Sequence, residues 1–164
     1  MWLALILAII AIAVHELGHI AAACAVGVRM GGMRVRRDGG FALYADADKA
    51  SYIRAFAVYA GGAAANIAAA ILFCTHAQFA AYNLGAAAFN LLPLPASDGT
   101  MIIYTLTAWL TDSPDLAYRV SHTVTDLSLA VFWIAAVYIS MTGRGGAMPL
   151  IFAVGLLVNR LGEG

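Results

Sequence analysis

An apolar run at the start of the chain limits what this sequence can fold into. Residues 2–14 carry no polar side chain, and residues 20–28 are again apolar after an interruption by His15, Glu16 and His19. Together these residues make a helix of about 25 residues, which crosses the ~30 Å hydrocarbon core of a bilayer. The run therefore predicts a transmembrane helix that carries ionisable side chains.

A cleaved secretory signal is the alternative interpretation of this run, because residues 21–25 are small, as they are at signal cleavage sites. However, no positively charged segment precedes the run, and cleavage would remove its cluster of polar side chains. We therefore expect residues 2–28 to remain as a membrane span.

The composition of the whole chain agrees with a membrane protein. Hydrophobic residues make up 63% of the 164 residues and charged residues only 11%, whereas soluble domains average about 25% charged residues. The chain has no net charge and few polar residues. These features disfavour a soluble enzyme, a nucleic-acid-binding protein with a basic face and a disordered chain. We expect a single membrane-embedded domain over residues 1–164.

Later apolar segments predict an all-α polytopic fold with about five transmembrane helices. Pro93 and Pro95 should end the third of them, because proline lacks the amide donor and clashes with the preceding turn. Residues 99–110 are apolar but too few to span a bilayer, so they predict an interfacial or re-entrant segment. The four further predicted spans are residues 52–73, 79–92, 124–141 and 147–158.

The segment between the first two spans is polar and basic. Residues 33–37 and 41–45 flank Asp38-Gly39-Gly40, which predicts either a short membrane-associated β-hairpin or a plain basic loop. With five spans, this segment lies on the same side as every Lys and Arg except Arg144. Because cytoplasmic loops are enriched in Lys and Arg, this side should be cytoplasmic and the N-terminus outside.

Residues 15–19 have the sequence HELGH, an H-E-x-x-H motif. In a helix, residues four apart lie on one face, so the imidazoles of His15 and His19 can bind one Zn²⁺. Glu16 can then act as a general base toward water. A packed polar cluster is the alternative, but ionisable groups are costly in hydrocarbon and usually functional.

A catalytic zinc needs a third protein ligand. The metzincin continuation is absent, since Ala22 and Ala25 occupy the positions for Gly and His, and the only other Glu is Glu163 at the terminus. Asp98 is the remaining strong candidate, because the topology brings the end of the proline-broken helix toward His15 and His19. An ordinary Asp-Gly turn is the alternative interpretation of Asp98.

The HELGH motif and a later stretch together resemble a known family. That stretch is NLLPLPASDG at residues 90–99, and it resembles the site-2 protease family of intramembrane zinc metalloproteases, in particular the branch of stage IV sporulation protein FB. The resemblance covers residues 2–99. It implies a three-helix catalytic core within residues 1–99, additional helices in residues 100–164, and a Zn²⁺ bound by His15, His19 and Asp98 with Glu16 as the catalytic residue.

Two asparagines are candidate substrate-binding residues. The sequence GGAAAN at residues 61–66 is similar to the family's G-P-x-x-N stretch, although Ala63 stands where proline is usual. Asn66 could therefore contact substrate or the transition state, or it could simply form an interhelical hydrogen bond. The resemblance implies that Asn90 contacts substrate or organises the following loop.

The expected function is zinc-dependent hydrolysis of a peptide bond in or next to a transmembrane segment of a protein substrate. The alternatives are a non-catalytic membrane zinc-binding or transport protein and an inactive protease-like scaffold. Besides the substrate and the lipid bilayer, we expect regulatory membrane partners and no nucleic acid. We expect the protein to lie in the bacterial cell membrane, with its active site toward the cytoplasm.

Overall fold

The computed structural model describes residues 2–28, 30–35, 41–45, 52–143 and 146–162. Most of these residues are helical, which confirms the predicted helical architecture in its coarse form. The elements in chain order are α1 (Trp2–Val26), β1 (Met30–Val35), β2 (Phe41–Ala45), α2 (Tyr52–Leu72), α3 (Ala77–Leu91), α4 (Asp98–Thr111), α5 (Pro114–Met141) and α6 (Met148–Leu161).

Three helices among the described residues, α1, α2 and α5, are long and apolar enough to cross a membrane. The predicted count of five spans is not supported. The third and fifth predicted spans are α3 and α6, of 15 and 14 residues, which reach only about 22 and 21 Å at 1.5 Å per residue. The prolines after α3 end it before it reaches membrane length.

Helix α5 begins ten residues earlier than the span predicted at residue 124. Its start is set by local chemistry rather than by hydropathy. The Ser113 side chain accepts a hydrogen bond from the Leu116 amide at 3.3 Å, and Pro114 occupies the first turn, where its missing amide proton costs nothing. The polar residues before the apolar segment therefore join the same helix.

Strands β1 and β2 pair in antiparallel fashion, with Gly32 opposite Tyr44 and Val35 opposite Phe41. Their pairing is irregular between Met30 and Gly32. Residues 36–40, which include the expected turn, lie outside the described residues. The hairpin as a whole and its association with the membrane therefore stay predictions.

Helices α1 and α2 pack with their backbones almost in contact. A Cβ atom placed on Gly61 would lie 2.6 Å from the Cβ atom of Ala22 and 2.8 Å from the carbonyl oxygen of Gly18. A Cβ atom on Gly18 would likewise lie 2.6 Å from the Cβ atom of Ala65. Small residues permit this approach, which brings the face of α1 that carries the histidines directly against α2.

We expect Gly61→Ala to destabilise the fold by about 1–3 kcal/mol, because the added methyl group must force two helix backbones apart. Gly85 in α3 provides a matched control, since nothing lies within 4 Å of a Cβ atom built there. Gly85→Ala should leave stability unchanged or raise it, because Ala favours a helix interior over Gly by about 1 kcal/mol. Thermal unfolding midpoints in detergent measure both effects, and equal midpoints for the two variants would contradict this account of the packing.

Candidate metal centre

Helix α1 presents His15 and His19 on the face that packs against α2. The two residues are 4% and 7% exposed, and their Nε2 atoms lie 3.1 Å apart. This is the arrangement predicted from the four-residue spacing, in which successive turns place both rings on one face. Glu16 is half-buried and follows His15 directly in the same turn.

Asp98 is the first residue of α4, and the loop before it is tightly hydrogen-bonded. The Ser97 hydroxyl oxygen accepts from the amides of Leu94 at 3.0 Å and Thr100 at 3.4 Å, so it caps the helix. The Thr100 hydroxyl lies 2.8 Å from that of Thr125 on α5. The start of α4, which carries Asp98, is thus tied to α5 as well as to the loop.

Gly99 explains why the Asp-Gly pair is required here. A Cβ atom at Gly99 would lie 2.7 Å from the carbonyl carbons of Leu91 and Leu92, because the start of α4 packs directly on the end of α3. Any larger residue would push Asp98 away from its position. The Asp-Gly pair is therefore more than an ordinary turn dipeptide.

The Asp98 carboxylate meets both histidines. Its Oδ2 atom lies 2.8 Å from Nε2 of His15 and 3.2 Å from Nε2 of His19, and ligand atoms of the three residues all lie within 4.8 Å of one another. Zinc bonds of 2.0–2.1 Å in a tetrahedron place neighbouring ligand atoms about 3.3 Å apart. The observed triangle is close to that size, so these three atoms could hold a metal ion.

The opposite ring nitrogens indicate how the imidazoles are protonated. Nδ1 of His19 lies 2.7 Å from the carbonyl oxygen of Val58, which can only accept, so this Nδ1 donates. Nδ1 of His15 lies 2.8 Å from Oδ1 of Asn66 and donates to it. In the neutral rings, both Nε2 atoms therefore carry lone pairs that face the Asp98 carboxylate.

Three acceptors in contact need a cation between them. That cation is either a metal ion or, in an ion-paired form, a proton on one of the imidazoles. Burial alone raises the pKa of the Asp98 carboxyl, but hydrogen bonding and charge from His15 and His19 lower it, and the net pKa lies below its ordinary value. The carboxylate is therefore charged at neutral pH, as a metal ligand must be.

Gly62 is a site residue that the sequence indicated only as a small residue for helix packing. A Cβ atom at Gly62 would lie 2.6 Å from Nε2 of His19 and 2.7 Å from Nε2 of His15. The α2 backbone therefore forms one wall of the candidate metal centre. The signal available in the sequence was its position four residues before Asn66, on the same face of α2.

The structure places the two asparagines differently. Asn66 is fully buried behind His15, whereas Asn90 is half-buried and donates to the carbonyl of Ala86 in its own helix at 3.0 Å. Asn90 also borders a groove of about 440 Å³ between α1 and α3, which small and apolar residues line. The substrate-binding roles of Asn66 and Asn90 stay predictions.

Comparison of the chain with protein-family models gave no match, and comparison with curated proteins gave no significant match. The resemblance to the site-2 protease family therefore stays a prediction from residues 15–19 and 90–99.

We expect Gly62→Ala to weaken divalent-metal binding by about 10- to 100-fold, the range typical of changes just outside the ligands. The added methyl group would occupy space that the two imidazoles now fill. Competition with a chromophoric chelator measures the affinity for Zn²⁺, and Gly85→Ala serves as the control. Wild-type affinity in a folded Gly62→Ala protein would show that the metal lies elsewhere.

Proposed function

We propose that this protein is an intramembrane zinc metalloprotease of the site-2 protease type. The observation that carries the proposal is the convergence of His15 Nε2, His19 Nε2 and Asp98 Oδ2 on one point. Two of these atoms belong to an H-E-x-x-H motif, in which the glutamate between the two histidines is the general base toward water in zinc metalloproteases.

The depth of the site in α1 supports chemistry within the membrane. Helix α1 runs from Trp2 to Val26, and His15 lies about 20 Å from its N-terminal end at 1.5 Å per residue. A helix of this length that crosses the bilayer carries His15 near the middle of the hydrocarbon core. Ionisable groups at that depth are expensive and mark functional sites.

The donor set suits zinc. Two imidazole nitrogens and one carboxylate oxygen are the ligand types of catalytic zinc sites, which keep a fourth position open. When bound, Zn²⁺ would supply Lewis-acid activation of water and of the scissile carbonyl. His15, His19 and Asp98 would hold it.

Glu16 would perform the proton transfers. As general base it takes a proton from the attacking water while the new C–O bond forms at the scissile carbonyl carbon. As general acid it then gives that proton to the amide nitrogen, which leaves as an amine when the C–N bond breaks. The charge of the three ligands is unchanged at the end of the cycle.

The substrate would be a transmembrane or membrane-associated protein. A helical substrate must unwind locally, because its carbonyls are otherwise occupied by its own hydrogen bonds. The strands Met30–Val35 and Phe41–Ala45 offer an edge on which an unwound segment could pair by strand addition. Asn90, which borders the groove between α1 and α3, is the proposed substrate-binding residue. The expected substrate contact of Asn66 is not proposed further, because Asn66 is fully buried and its amide contacts His15, Ala11 and Asn83.

The basic segment between α1 and α2, which contains Arg29, Arg34, Arg36, Arg37 and Lys49, supports a cytoplasm-facing site in a bacterial cell membrane. The core would comprise residues 1–99, with residues 100–164 as support. The Thr100–Thr125 contact, which ties the start of α4 to α5, is consistent with that supporting role. Other membrane proteins would regulate access of the substrate.

Purified protein should contain about one Zn²⁺ per chain, because three protein ligands and one open position complete a tetrahedral site. Asp98→Ala should lose most of this zinc in metal analysis after dialysis. Asp126→Ala is the matched control, since that carboxylate pairs with Arg160 at 2.7 Å on an exposed surface. Full zinc loading of Asp98→Ala at wild-type affinity would mean that Asp98 is no ligand.

Glu16→Gln should lower peptide cleavage by about 10²- to 10⁴-fold, the usual contribution of general acid–base catalysis. Its zinc content should equal that of the wild type, because the ligands are untouched. Cleavage of candidate transmembrane substrates by the detergent-solubilised protein is followed by mass spectrometry. Wild-type protein whose zinc has been removed by a chelator gives the background rate of cleavage.

The same assay separates the enzyme from the two alternatives. A zinc-binding or transport protein would load zinc but cut none of the substrates, and Glu16→Gln would leave its zinc movement unchanged. An inactive scaffold would also show no cleavage while still binding the membrane protein. Equal cleavage by the wild type and zinc-loaded Glu16→Gln would exclude the assigned proton transfers.

A further inference from the structure

We infer that Asn66 and Asn83 form a buried amide relay whose task is to hold His15 in the Nδ1-protonated form, so that its Nε2 lone pair faces Asp98. Asn66 is then a positioning residue that acts through His15. Its effect on metal affinity rests on the proposed function, but its effect on the protonation of His15 does not.

The orientation of the Asn66 amide follows from its neighbours. Its Nδ2 atom lies 2.9 Å from the carbonyl oxygen of Ala11, and a carbonyl oxygen can only accept a hydrogen bond. The NH₂ group must therefore face Ala11, which leaves Oδ1 facing Nδ1 of His15 at 2.8 Å. An amide oxygen accepts only, so the proton of the imidazole belongs on Nδ1.

Asn83 strengthens this arrangement from α3. Its Oδ1 atom accepts the second proton of the Asn66 NH₂ group at 2.9 Å, and its own Nδ2 donates to the carbonyl of Phe79 at 3.0 Å. Both asparagine side chains are 0% exposed. If the Asn66 amide were flipped, its oxygen would face the Ala11 carbonyl oxygen and Asn83 Oδ1. Both are acceptors that water does not reach, so the flipped orientation would be unfavourable.

The two histidines differ in how they are held. Nδ1 of His19 donates to a backbone carbonyl, that of Val58, which no substitution can remove. Nδ1 of His15 donates to a side chain, so its protonation depends on the identity of residue 66. A substitution at residue 66 can therefore change the protonation of His15 and leave the hydrogen bond of His19 in place.

A purely structural role for Asn66, as a tie between α1, α2 and α3, makes a different prediction. Asn66→Asp keeps an acceptor for His15 Nδ1 but turns a carboxylate toward the acceptors on Ala11 and Asn83. Asn66→Leu removes the acceptor and keeps a similar volume. If Asn66 positions His15, Asn66→Asp should bind the metal more tightly than Asn66→Leu. If Asn66 is only a structural tie, Asn66→Asp should bind the metal no more tightly than Asn66→Leu.

The protonation of His15 can be observed directly by ¹⁵N NMR of histidine-labelled, metal-free protein in detergent. The chain has four histidines, and His76→Gln and His122→Gln assign two of the signals. We expect a protonated Nδ1 on His15 in the wild type and in Asn66→Asp. In Asn66→Leu, the proton should move to Nε2, which can donate to Asp98.

Zinc affinity provides the second measurement. Asn66→Leu should bind zinc about 10- to 100-fold more weakly than the wild type, as is typical when the partner of a ligating histidine is lost, and Asn66→Asp should recover part of that loss. Ser121→Ala is the control, since Ser121 is also buried and its hydroxyl donates to the Tyr118 carbonyl within α5, away from the three ligands. Its zinc affinity should match the wild type.

Several results would overturn the inference: an unprotonated Nδ1 on His15 in the wild type, a protonated Nδ1 in Asn66→Leu, or weaker zinc binding by Asn66→Asp than by Asn66→Leu. If the position-66 variants do not fold, the pair Asn83→Asp and Asn83→Leu gives the same comparison one step further from the ligands. If the wild type binds no zinc, the proposed function fails, while the ¹⁵N signals of the metal-free protein still decide the relay.

Discussion

The close approach of α1 and α2 is the constraint on which the rest of this structure depends. Gly18 and Gly61 bring the two backbones together, and Gly62, one residue further along, then lies against both imidazoles. At this separation, the Asn66 amide and the Val58 carbonyl of α2 accept hydrogen bonds from Nδ1 of His15 and of His19. A wider spacing would leave the Nδ1 atoms without acceptors in an apolar surrounding, which is costly.

The buried polar side chains around His15 form one connected chain. It runs from Phe79 and Asn83 on α3 through Asn66 on α2 to His15 on α1, and on to Asp98 on α4. Three of these contacts join different helices, and the fourth joins Asn83 to the backbone of its own helix. The same contacts therefore hold the helices together and give the buried polar atoms their partners. Such networks are favourable only when all members have partners. In this one the asparagines and the Nδ1 atoms have partners, and a cation between His15, His19 and Asp98 completes the set.

Most of the predictions that agree with the structure are local in the chain, and the approach of Asp98 to the two histidines is the exception. The pairing of His15 with His19 follows from helical periodicity, and the end of α3 follows from Pro93 and Pro95. The count of five spans is not supported, because hydropathy marks apolar segments but does not measure where helices begin and end. Gly62 and Asn83 were not singled out as site residues, since neither residue type indicates by itself what it will contact.

The sequence by itself determined a helix of membrane length with two imidazoles and a glutamate on its turns, because both features depend only on residues close together in the chain. The sequence and the family resemblance pointed to Asp98, but only the tertiary structure places its Oδ2 atom 2.8 Å from Nε2 of His15, 83 residues away in the chain. That contact depends on how α4 packs against α2 and α5 and on the space left by Gly99. The same packing decides which nitrogen of His15 and His19 is free, because the acceptors on Asn66 and Val58 belong to another helix.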